Sequence, residues 1–358
     1  MTDTQRIRHI DAWRFIAVSM VMQSHLIIFS NFSFLVATYP FLRSLSRFGD
    51  LGVLIFFFIS GFVICRGLMQ ERAAASTVSL KAFYVRRAFR ILPPLWLYLA
   101  ALALLAGVWR SVSVTPAQLG KSALFLCNID FPGGCSWLAG HTWSLAYEEQ
   151  FYLVFPLVFM VLGLTVRPKL LLAMLSLMVL ASLGLRAVGS DWWAGYLSHM
   201  IFMLTGCAAA LYWHRLGLIC RGLSVRGWLT ALTLLAACVG LLPFPIEAYV
   251  KTVLYPPLIG LVVLGTPISH PKVRAFFQNP LLAYLGKISY TAYLWQQLAT
   301  AQYPTISPWW TVLSILAVWL FAHYSYQYFE SPLIGIATRW SDDIKQRASF
   351  GRVTGFVK

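Results

Sequence analysis

Residues 10–29, IDAWRFIAVSMVMQSHLIIF, form a stretch long and apolar enough to cross a membrane, yet it carries Arg14 and His25 inside it. At membrane depth an ionisable side chain costs several kcal/mol unless it faces a partner or a wet cavity, so both point to function. On a helix the eleven-residue spacing returns to within about 20° of the same face, roughly 16 Å further along the axis. The chemistry open to the pair is an anion held by the guanidinium and a proton taken and returned by an imidazole that titrates near neutral pH. The alternative is an arginine snorkelling to the interface and a histidine hydrogen-bonded inside a bundle.

Three further places carry chemistry. KAFYVRRAFRILPP, residues 81–94, sets Arg86, Arg87 and Arg90 at the start of an apolar run, with Arg87 and Arg90 on one helical face. A helix N-terminus bearing guanidinium groups suits phosphate; topology signalling and anionic lipid contact are the equal alternative. HTWSLAYEEQFY, residues 141–152, brings His141, Trp143, Glu148 and Glu149 to the expected outer mouth of another run, with Glu148 in its first turn. Glu148 and Glu149 point about 100° apart, so at most one faces the interior squarely. Glu330, in HYSYQYFESPL, arrives on the inner side near the arginines and is expected to pair with Arg86, Arg87 or Arg90.

The elements that must position these residues are membrane helices. With 358 residues, 59% hydrophobic and 11% charged, the chain lies far from a soluble balance. Ten candidate spans are read at about 11–30, 51–68, 88–107, 147–165, 168–187, 192–213, 226–243, 248–265, 283–302 and 309–329. The fold class is all-α, a polytopic membrane helical bundle, in which residues 1–335 form the integral domain and 336–358 a cytoplasmic basic tail. With the N-terminus inside, 21 of the 28 lysines and arginines fall on inner segments and six on outer ones, so both termini are expected to be cytoplasmic. The first span reads as a start-transfer anchor with no cleavable signal peptide. The net charge of +16 is scattered over short loops, which argues against a nucleic-acid partner and for membrane lipid.

Of the six cysteines, Cys127 and Cys135 stand in the longest outer loop, CNIDFPGGC, where Pro132, Gly133 and Gly134 turn the chain back; a disulfide is expected there. Ser60 and Gly61 in the second span suit close helix packing more than a ligand. Asp191, His199 and Glu247 read as interface residues or satisfied core polars. No metal cluster, nucleotide loop or Ser-His-Asp arrangement is visible in the sequence.

Arg14 with His25, GVLIFFFISGF at 52–62, RRAFRILP with Arg87 and Arg90, HTWSLAYEEQFY at 141–152, ISYTAYLWQ at 288–296 and YFESP at 328–332 together resemble the membrane-bound acyltransferase-3 family. They keep the family's order over essentially the whole chain. The resemblance implies an O-acyltransferase of the bacterial inner membrane, with no permanently bound cofactor. It implies acyl-CoA, by family frequency acetyl-CoA, as cytoplasmic donor. The implied acceptor is a hydroxyl of a glycan, lipopolysaccharide or related glycoconjugate. Two departures stand out: Gln296 replaces the histidine often found after YLW, and the chain stops at Lys358 without the hydrolase-like domain of some members, which leaves acceptor handling to the membrane domain.

On that reading Arg14, Arg87 and Arg90 bind the donor's phosphates, and His25 takes the acceptor proton as the hydroxyl attacks the thioester. An acyl-histidine is the alternative chemistry. Glu148 is expected to orient His25. The competing class is a transporter or flippase, against which stands the lack of a repeated half with paired broken helices. A scaffold would need neither Arg14 nor His25 in the membrane.

Overall fold

The computed structural model describes residues 8–30, 32–109, 111–129, 134–267, 270–303 and 308–355; Pro132, Gly133 and Lys358 lie outside them. The described residues are helical, with no strand among them. The long helices and those that bear on the site are α1 (Arg8–Phe29), α2 (Phe48–Ala75), α3 (Leu80–Val108), α4 (Thr142–Val161), α5 (Pro168–Ala187), α6 (Asp191–Leu211), α7 (Val225–Leu241), α8 (Ile246–Val253), α9 (Tyr255–Leu264), α10 (Pro280–Lys287), α11 (Ser289–Thr300), α12 (Pro308–Ser325) and α13 (Ser331–Gly355). All ten apolar segments fall on helix. Among the described residues, by length and composition, five helices suffice to cross a membrane, or seven if each of two bent pairs makes one span.

Local chemistry explains the breaks. The segment at 248–265, expected as one span, bends by 51° between α8 and α9. Pro256 and Pro257 open α9, and proline disfavours helical geometry in its predecessor and removes a donor. The segment at 283–302 divides at Ile288 into α10, whose start is capped by the Asn279 side chain, and α11. Between α12 and α13 a π-helical turn, Tyr326–Glu330, inserts a residue and turns Glu330 inward.

The chain divides into two compact units, residues 1–70, 161–289 and 300–311, and residues 71–160, 290–299 and 312–358. In the first, α1 runs along α10 and also meets α2, while α5 and α6 form a hairpin tied by the Ser182 hydroxyl to the Ala194 carbonyl at 2.8 Å. A Cβ on Gly61 would overlap the Met203 backbone, and one on Gly206 the Phe58 backbone, so this reciprocal pair lets α2 and α6 touch. Close packing is therefore the use of Gly61. Trp13 donates its indole N–H to Thr266 at 2.9 Å and Trp228 to the Val262 carbonyl at 2.9 Å.

In the second unit α3 and α4 run antiparallel in a register fixed by hydroxyls. Tyr84 donates to the Leu153 carbonyl at 2.7 Å, and Tyr98 to the Leu138 carbonyl, just before α4, at 2.6 Å. Pro93 and Pro94 lie inside α3, where they release the carbonyls of Phe89 and Arg90 from the helix ladder. Cys127 and Cys135 are joined by a disulfide, their Cα atoms 5.8 Å apart. Much of the basic tail is helix: α13 lies along α3, with Trp340 edge-on to Phe89 at 5.4 Å.

Candidate functional site

In the first unit α1 carries Arg14 and His25 on one continuous helix, and both side chains are half-buried. Arg14 donates to the carboxylate of Asp11 at 3.5 Å, one turn earlier. Asp11 is buried, and its backbone is so close to Gly286 of α10 that a Cβ there would collide with it. The carboxylate therefore fixes the arginine from a rigid point. The i, i+3 spacing of Asp11 and Arg14 was a readable signal for this partner. His25 lies edge-on to Phe29, ring centres 5.8 Å apart.

In the second unit the three arginines of α3 separate by role. Arg86 pairs with Glu71 at 3.2 Å and also reaches the hydroxyl of Ser341 on α13. Glu71 in turn takes Lys345 at 3.3 Å and the backbone N–H of Ser79 at 3.0 Å. Arg86 is thus committed to clasping α13 against the start of α3. Arg87 lies over the ring of Tyr152, 4.4 Å from its centre, and the Tyr152 hydroxyl donates to Glu148 at 3.0 Å. A guanidinium, a phenol and a carboxylate so form one connected row between α3 and α4.

That row corrects the expected position of Glu148. The helix begins at Thr142, which puts Glu148 in the second turn, and the register with α3 brings it level with Arg87 instead of the far end of α3. The helix starts early because its polar first turn packs inside the protein. Ser144 and Tyr293 hydroxyls meet at 2.7 Å, Tyr293 donates to the His141 carbonyl at 2.9 Å, and the His141 ring is flanked by Tyr98 and Tyr293. Hydropathy sees only the lipid-facing part of such a helix.

Glu330 keeps one of its expected arginines as an electrostatic neighbour, Arg90, and its buried carboxylate also accepts from Thr291 at 2.5 Å and Ser325 at 3.0 Å; the carboxylate joined to Arg86 is Glu71. Tyr290 donates to the Ile91 carbonyl at 2.9 Å, so α11 is tied both to α3 and to the π-helical turn. Gln296 is fully buried and donates to Gln297 at 3.0 Å, which donates to the Trp137 carbonyl at 2.9 Å. Glu71 and Tyr152 escaped the sequence reading, because their partners are distant in sequence and no short motif joins them. His25 and Arg14 belong to one unit and Arg87, Arg90 and Glu148 to the other. Among the described residues no group of histidine, cysteine or carboxylate side chains has the geometry of a metal site.

The helices and their intramembrane charges define a polytopic helical membrane protein. Comparison with known proteins then places it: a family model described as an acyltransferase domain matches residues 7–337, and the chain belongs to that acyltransferase family. Peptidoglycan O-acetyltransferase OatA of Listeria monocytogenes is 26% identical over 90% of this chain and 55% of its own length. YrhL of Bacillus subtilis, named provisionally as a peptidoglycan O-acetyltransferase, is 29% identical over 83% of this chain and 52% of its own. A Staphylococcus aureus protein named provisionally as an O-acetyltransferase is 26% identical over 79% and 52%. The chain therefore spans about half the length of the curated relatives it matches. No solved structure matches it.

Proposed function

We propose that this protein is an inner-membrane O-acyltransferase that moves an acyl group, acetyl by preference, from cytoplasmic acyl-CoA to a hydroxyl of a glycan. The observation that carries the reading is the division of labour on α3. Arg86 is occupied by Glu71, whereas Arg87 lies over Tyr152 in the row that ends at Glu148, and Arg90 acts on Glu330, both of them about two to three turns into a helix that Pro93 and Pro94 interrupt. Guanidinium groups so held suit the diphosphate of a nucleotide-derived donor. Arg14, held by Asp11, is a further guanidinium suited to an anion.

His25 is the base. It removes the proton from the acceptor hydroxyl as oxygen attacks the thioester carbonyl, and returns it to the departing thiolate, so the thioester is exchanged for an ester with no net proton change. Glu148, joined to Arg87 through Tyr152, is the carboxylate we assign to the same step from the second unit. The O-acetyltransferases among the relatives, two of them named for peptidoglycan, support a glycan acceptor and an acetyl donor.

The test uses purified protein in nanodiscs with radiolabelled acetyl-CoA and a soluble glycan. Acetylated glycan and free CoA in equal amounts are expected. Passage of a glycan across proteoliposomes with no consumption of acetyl-CoA would replace the reading with a carrier. Coupled losses in a cycle of His25→Ala and Glu148→Gln check the pairing; fully additive losses overturn it.

A further inference from the structure

One charged cluster takes no part in the chemistry above. In the first unit, Arg47 and Asp50 at the start of α2 face Glu247 and Lys251 on α8. The spacings are i, i+3 on one side and i, i+4 on the other, so each pair lies on one helical aspect. Arg47 meets Glu247 at 3.3 Å, and Lys251 forms an ion pair with Asp50. Arg47 also donates to the Leu242 carbonyl at 2.8 Å, just past the end of α7, and the Tyr255 hydroxyl donates to Glu247 at 3.3 Å.

Two observations point to a ligand rather than to a cross-link alone. First, the Asp50 side chain is 46% exposed although it is ion-paired, so the pair is sealed on one side and open on the other. Second, the cluster adjoins the turn of α1 that bears His25. Gly49 packs so tightly against Ser24 that a Cβ would overlap that side chain, which brings the start of α2 to the very turn of α1 that bears the histidine. Two cations against two carboxylates leave no net charge. That balance suits an uncharged, hydroxyl-rich ring, whose hydroxyls donate to the carboxylates and accept from the cations, and does not suit a phosphate.

We propose that Arg47, Asp50, Glu247 and Lys251 form the acceptor subsite, which holds a neutral hydroxylated sugar ring beside His25. The proposal rests on the acyl-transfer reading for what happens to that ring, but the binding of the ring itself does not depend on the donor.

The experiment is therefore a binding measurement without donor. Tetra-N-acetylchitotetraose is titrated into detergent-solubilised protein by microscale thermophoresis, for the native chain, Asp50→Asn, Lys251→Met, and the double exchange Asp50→Lys with Lys251→Asp. The native chain binds, and each single variant binds about tenfold more weakly, the worth of one hydrogen bond to a charged group. The double exchange restores the ion pair and the melting temperature but not the affinity. Absence of binding by the native chain, equal affinity in the single variants, or recovery of affinity by the exchange would each overturn the subsite. Binding as expected with no transfer from acetyl-CoA would leave the subsite standing and overturn the acyl-transfer reading instead.

Discussion

The row Arg87, Tyr152, Glu148 allows two contributions of one side chain to be separated. Tyr152→Phe removes the hydroxyl that donates to Glu148 at 3.0 Å and keeps the ring 4.4 Å from the Arg87 guanidinium. A hydrogen bond to a charged group is worth about 1.5–3 kcal/mol, and half-buried Glu148 belongs at the low end, which corresponds to about tenfold. If Glu148 serves the chemical step, kcat falls by about that factor and KM for acetyl-CoA stays within about twofold. Tyr152→Leu also removes the ring. A cation–π contact of about 0.5–2 kcal/mol then disappears, and KM for acetyl-CoA rises roughly 2- to 30-fold on top of the kcat loss. Steady-state acetyl transfer, with each substrate varied in turn, reads both parameters. An unchanged kcat in Tyr152→Phe, or a KM shift as large as that of Tyr152→Leu, would refute the reasoning.

Other consequences are simpler to read. Glu71→Gln leaves Arg86 and Lys345 without their shared carboxylate; because both cations are about one-third exposed, the loss is about 1–2 kcal/mol, seen as a lower melting temperature with KM for acetyl-CoA unchanged. An unaltered melting temperature would remove the clasp. Gly61→Val drives two methyl groups towards the Met203 backbone and costs at least about 3 kcal/mol, visible as loss of the monodisperse solubilised form; a well-behaved variant would contradict the α2–α6 contact. Thr291→Val takes one donor from buried Glu330 and lowers the melting temperature by the equivalent of about 1–3 kcal/mol, whereas Thr291→Ser retains it. On denatured, unreduced protein four thiols react, those of Cys65, Cys207, Cys220 and Cys238, and reduction exposes Cys127 and Cys135.

What the sequence disclosed follows from what hydropathy and spacing can register. Arg14 and His25 were legible because ionisable groups stand inside a run apolar enough to cross a membrane, and the Cys127–Cys135 bond because its span is short. The start of α4 was not legible. Its first turn is polar yet buried through Ser144, Tyr293 and the His141 carbonyl, so the apolar run begins later than the helix and Glu148 was placed too near its end. Glu330 was expected near an arginine, and Arg90 acts on it, but its hydrogen bonds to Thr291 and Ser325 follow from the π-helical turn, and one inserted residue leaves no mark in composition. The break between α8 and α9 was written in Pro256 and Pro257, which a window average over apolar residues dilutes. The ion pairs of Arg47 and Lys251 join residues distant in sequence and have no local signature.

The central claim is that His25 is the base for acyl transfer. It is tested by nanodisc-embedded protein carrying His25→Ala, assayed for acetyl transfer to a glycan and, in parallel, for acetyl-CoA affinity. The account predicts transfer reduced to background with acetyl-CoA bound as tightly as by the native chain, because Arg14, Arg87 and Arg90 are untouched. Transfer at the native rate by the alanine variant would contradict it.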